Sequence, residues 1–171
     1  MAGGFSDDTT AILERNGWTV VEVPDGLTLE VLRRMGAPFR GSRYFDRFAG
    51  EVAEGPTSPG PIAVNWGILE GTLNRRYEEC ESLVAEFGRT LPDGCEAMIG
   101  SAATYVYLIG RHRADLGTFP LAGYYTWACD RYRDTNLVVG VFGRKRPIVV
   151  APLSEKQGKG VGVMPLIAPA G

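Results

Sequence analysis

The sequence predicts an α+β fold, an antiparallel β-meander in the C-terminal half packed against helices from the N-terminal half, one of them long and amphipathic. Three observations predict it. Apolar residues recur at alternating steps of three and four from Trp66 to Phe87, the period of one helical face. Runs rich in β-branched and aromatic residues, Tyr124 to Tyr132, Leu137 to Phe142 and Ile148 to Ala151, are separated only by short turn segments. Finally, 171 residues, 44% hydrophobic and 22% charged, suffice for one domain, residues 1–171, with a core that needs no disulfide or metal staple.

The elements are taken in chain order. Asp8 and Thr9 cap a short helix that ends near Asn16-Gly17, and Trp18 to Val23 reads as a strand. After the turn Pro24-Asp25-Gly26, Thr28 offers an N-cap to a helix over Leu29 to Met35, stopped by Gly36 and Pro38. A shorter helix is expected at Arg43 to Phe48, and the prolines of 55–61 predict a loop. The long helix carries Trp66, Leu69, Leu73, Tyr77, Cys80, Val84 and Phe87 on one face and closes at Gly88. A start near Asn65 keeps Arg75 and Arg76 away from the positive end of its dipole, against the cost of Gly67 and Gly71, up to about 1 kcal/mol each. Past the turn Pro92-Asp93-Gly94, residues 103–110 read as a strand on β-branched and aromatic enrichment, with a buried helix as the competing reading. This strand and the three runs named above form the meander, and the Gly- and Pro-rich tail 152–171 is expected to wrap the surface.

The net charge of −2 conceals a division into an acidic helical part, 1–102, and a basic β-rich part, 103–151. The first 102 residues hold 9 Lys and Arg against 16 Asp and Glu, whereas 103–147 hold 7 against 3. Such asymmetry points either to an anionic partner or to attraction between the two parts of the fold. No apolar run approaches the roughly 20 residues of a membrane span, and the N-terminus lacks the basic and apolar regions of an export signal, so a cytoplasmic location is expected. Cys80, Cys95 and Cys129 are odd in number and widely spaced, which favours reduced thiols, and the single histidine leaves little for a metal site. No metal or cofactor is expected.

Alternating connections of a four-stranded meander would bring Arg111-His112-Arg113 and Arg144-Lys145-Arg146 out at one end of the sheet, and Arg131 with Arg133 at the other. Tyr105, Tyr107, Tyr124, Tyr125, Trp127, Tyr132 and Phe142 belong to the same sheet, and aromatics beside cations can stack bases and neutralise phosphates. The bland alternatives are core packing for the aromatics and, for the cations, solvation or pairing with Glu78, Glu79, Glu81 and Glu86. A nucleophile reading joins Cys129 and His112, although strand alternation turns Asp130 away, leaving Asp115 or Asp134 as orienter. Gly158-Lys159-Gly160-Val161-Gly162 matches no phosphate-loop spacing, and the carboxylates Asp46, Glu51, Glu54 and Glu70 carry no specificity.

The expected function is therefore a non-enzymatic binding or assembly module. Its Arg111, Arg113, Arg144, Lys145 and Arg146 would contact nucleic acid or an acidic surface of another protein chain, in a homo-oligomer or larger complex. The alternative is a small enzyme acting on a phosphorylated or carboxylated substrate, with the arginines holding the anion and His112, or Cys129, as catalytic group.

Overall fold

The computed structural model describes residues 4–37, 39–41, 52–53, 57, 59–121, 123–141, 148–153 and 159–171. They form an α+β fold with two antiparallel-rich sheets. The helix expected at 43–48 lies outside the described residues.

The first elements follow the local signals with two corrections: the first helix is capped by Ser6 rather than by Asp8 and Thr9, which lie inside it, and Gly60 and Pro61, expected in a loop, pair with Val23 and Glu22 as a strand. Helix α1 (Asp7–Arg15) is capped by Ser6, whose hydroxyl accepts from Thr9 N at 3.1 Å, with Asp7 and Asp8 in its first turn and Arg15 in its last, as its dipole favours. Strand β1 (Thr19–Val23) comes next, then α2 (Leu29–Arg34), capped by Thr28 as expected. Short strands β2 (Phe39–Gly41) and β3 (Val52–Ala53) precede β4 (Gly60–Val64).

The long helix is a correction. Helix α3 spans Tyr77–Gly88, and residues 65–76 form a loop rather than its first turns. The dipole does not forbid this later start, because Glu78 and Glu79 occupy the first turn, and the Glu79 carboxylate accepts from Arg76 N at 3.0 Å while pairing with Arg75 at 3.3 Å. Two carboxylates at the positive end offset the two arginines there. Gly71, with φ 81°, and the left-handed Trp66 and Asn74 take the backbone of the preceding segment out of helix.

The second correction concerns 103–110. After β5 (Cys95–Met98), residues Ala102–Leu116 form helix α4, not a strand. Ser101 caps it, accepting from Thr104 N, and Gly117 at φ 71° ends it by donating to Arg113 O. From Ala102 to Val106, and again at Leu108 and Ile109, its side chains are buried on every side. A helix buried all round shows no stripe, so β-branched and aromatic enrichment outweighed the Ser101 cap and pointed to the wrong element.

The meander stands as expected in its last three strands: β6 (Tyr125–Tyr132), β7 (Thr135–Val141) and β8 (Ile148–Pro152) pair antiparallel in order. Short β2 adds parallel to β8, while β3 and the parallel β9 (Val161–Gly162) share the outer edge of β6. A separate sheet runs β1-β4-β10-β5, all antiparallel, with β10 at Leu166–Pro169. The tail is thus no surface wrap. Val161, Val163, Met164, Leu166 and Ile167 are at most 2% exposed, because an apolar run flanked by Gly and Pro supplies a strand covered on both faces.

One face of the β1-β4-β10-β5 sheet, with Ala63 and Ile167, packs on Leu13 of α1, Trp18 and Phe87. The other joins the main core around α4, which also lies against β6, β7 and β8. Tyr105, Leu108 and Ile109 at that centre are each fully buried, each contributing about 1.5–3 kcal/mol of transfer free energy. No helix among the described residues is long and apolar enough to cross a membrane.

Candidate binding groove and basic helix end

Helix α4 runs from a buried, satisfied start to an exposed end. At its start the Asp130 carboxylate accepts from Ala102 N, and Cys129 N donates to Gly100 O at 3.0 Å. Its later turns carry His112 against Trp66, and Trp66 lines one groove with Tyr124, the residue before β6. The exposed end of the helix therefore lies toward the start of β6, whose Tyr125 pairs with Gly140 of β7.

Arg111, His112 and Arg113 are on those exposed turns, not on a strand-end bend as expected. Successive helical residues turn by about 100°, so the three diverge. Arg111 pairs with Asp115 at 3.6 Å, both more than half exposed, Arg113 lies 4.4 Å over the Phe119 ring, and His112 meets Trp66 edge-on at 4.6 Å with Nδ1 2.9 Å from Thr118 O. Residues 144–146 lie outside the described residues. No ion pair among the described residues joins these arginines to the acidic face of α3.

Beside His112 is a groove of about 480 Å³ that residue spacing did not reveal, lined by Trp66, Ile68, Leu69, Glu70, Leu73, Leu121 and Tyr124. Trp66, Leu69 and Leu73 are the residues whose spacing had suggested early helical turns. Their loop is clamped onto the chain around β9. Leu69 N donates to Val163 O and Asn74 N to Val161 O, both at 2.7 Å, and Gly160 N donates to Asn74 Oδ1 at 2.7 Å. The buried Thr72 hydroxyl donates to Leu69 O at 2.7 Å and accepts from Val163 N at 3.1 Å. At Gly162 a Cβ would come within 2.6 Å of Ile68 Cγ2, so this approach requires glycine. On another side Trp127 Nε1 donates to Arg75 O at 3.1 Å. Two lining residues, Trp66 (φ 62°) and Leu121 (φ 58°), hold left-handed backbone, which bulky residues avoid at a cost of about 1–3 kcal/mol each. The available signal was Gly67 and Gly71 interrupting the apolar run.

The nucleophile candidates do not converge. Cys129 sits near the start of α4 and His112 ten residues along it, a separation of about 15 Å at helical rise. Burial, then the Asp130 carboxylate, pushes the Cys129 thiol up to about 12, so it is protonated at neutral pH. Burial likewise pushes Cys80 up to about 11. Asp115 is on Arg111, and Asp134 lies in the β6–β7 turn at the far end of the sheet. Gly160 to Gly162 belong to the groove's clamp, while 154–158 lie outside the described residues, as do Asp46, Glu51 and Glu54. No group of three His, Cys, Asp or Glu among the described residues could hold a metal ion. Of the aromatics, Tyr105 and Trp127 are buried, Tyr107, Tyr125 and Tyr132 half-buried, and Tyr124 exposed, while Phe142 lies outside the described residues.

No family model matches the chain, and no curated protein or solved structure matches it either.

Proposed function

We propose that the protein is a non-enzymatic binding module that uses the exposed end of α4 to contact an acidic surface of another protein chain, within a homo-oligomer or larger complex. The observation that supports this most is the position of Arg111 and Arg113. Both are exposed on the later turns of α4, and the sequence between β7 and β8 adds the cations Arg144, Lys145 and Arg146. Their described contacts, an exposed pair with Asp115 and a ring face, are worth about 0–1 kcal/mol each and yield readily to a partner.

Nucleic acid is the weaker partner, since Tyr105 and Trp127 are buried, Tyr107, Tyr125 and Tyr132 are half-buried, and among the described aromatics of this set only Tyr124 is exposed as a stacking surface. For the enzyme reading, no acid, base and nucleophile converge among the described residues, with His112 against Trp66 and Thr118 and far from Cys129.

The test is titration of the protein with a glutamate-rich peptide and, separately, with oligo-dT, at two salt concentrations. The peptide should bind, more weakly at high salt, and both R111A/R113A and R144A/R146A should reduce its affinity. Salt-independent peptide binding, or variants that bind as well as the wild type, would refute the reading, and preferential oligo-dT binding would replace the partner.

A further inference from the structure

We infer that the groove beside α4 is a second, separate binding site, for an amphiphilic organic cation: an alkyl or aryl chain ending in an ammonium group. The volume, about 480 Å³, falls in the range of small-molecule sites. Ile68, Leu69, Leu73 and Leu121 provide an aliphatic lining, and Leu73 and Tyr124 are 39% and 44% exposed, apolar surface left open to solvent.

The sign of the ligand's charge is set by the rest of the lining. Among the described residues Glu70 is the only formally charged one in the lining, and none of their ion pairs engages it. Trp66 and Tyr124 contribute aromatic rings, whose faces attract cations. Carboxylate and rings therefore act in the same direction, favouring an ammonium and opposing a carboxylate on the same alkyl chain. The walls are preformed: the loop's backbone and Thr72 are bonded to 160–163, and Trp66 and Leu121 already hold their costly conformations. A ligand then binds without ordering the loop first.

The experiment is calorimetric titration with octylammonium chloride and with sodium octanoate, two probes of equal chain length and opposite charge. Wild type should bind octylammonium about tenfold more tightly than octanoate, and Glu70→Gln should bring the two within about twofold. Equal affinities in the wild type, tighter octanoate, no binding of either probe, or a preference that survives Glu70→Gln would overturn the assignment. Gln is nearly isosteric and Glu70 is exposed, so the variant should fold, and its melting temperature checks this. This inference stands apart from the acidic-partner reading. R111A/R113A should leave octylammonium affinity unchanged while weakening the peptide, and Glu70→Gln should do the reverse.

Discussion

The two ends of helix α4 use polar and apolar residues in opposite ways. At its start, Ser101, Thr104 and Asp130 are at most 2% exposed, yet Ser101 and Asp130 accept from Thr104 N and Ala102 N, two of the backbone donors a helix leaves unpaired. At its other end Leu116 is 66% exposed, Arg111 and Arg113 reach solvent, and an apolar groove stays open beside Trp66. Burial alone is therefore a poor guide to function here. The buried polar groups hold the helix in place, while the exposed apolar and cationic groups are those still able to meet a partner.

If that division is right, the largest stability effect belongs to the buried end. Asp130→Ala should cost about 2–4 kcal/mol in denaturant unfolding, because it leaves a buried backbone donor unpaired. A loss below about 1 kcal/mol would break the comparison. Gly162→Ala acts on the clamp between the ends, where its Cβ would press on Ile68 Cγ2 and Thr72 Oγ1. It should cost about 1–3 kcal/mol and also weaken octylammonium, whereas Asp130→Ala should not change that affinity while the protein stays folded.

The cysteines sharpen the contrast through pH. Cys129, raised from 9.0 to about 12, and Cys80, raised to about 11, bind protons more tightly folded than unfolded. Their contribution is complete below pH 9 and is lost as pH rises through the folded values. The melting temperature should fall between about pH 9 and 12, less steeply in Cys129→Ala, and an equal fall in that variant would place the alkaline loss elsewhere. The smallest stability effect belongs to the exposed end: Arg111→Ala should stay within about 0.5 kcal/mol of wild type in the same unfolding assay.

Particular residues show how much was legible in the chain before it folds. The Thr28 cap of α2, the ends of α1 and α2 and the last three strands of the meander were legible, because their signals act over a few neighbouring residues, whereas α1 is capped by Ser6 and not by Asp8 or Thr9. The Ser101-x-x-Thr104 cap of α4 was present in the sequence but outweighed by the β-branched and aromatic composition of residues 104–109. Of the candidate site, the basic residues were visible as residue types, but their placement on a helix, and the groove beside them, were not.

The sequence by itself determined the fold class, the Thr28 cap and the turns that end α1 and α2, and the division between acidic and basic parts, since each depends on residue type and near spacing. Only the tertiary structure decided that 102–116 is a helix enclosed by sheet, that the tail is a core strand, and that Trp66, Leu69 and Leu73 line a groove. In each case the deciding partner lies far along the chain: Thr72 meets Val163, Ala102 meets Asp130, and β10 enters between β4 and β5. A backbone donor satisfied by such a distant acceptor has no need of its own helix, and local periodicity cannot register that choice.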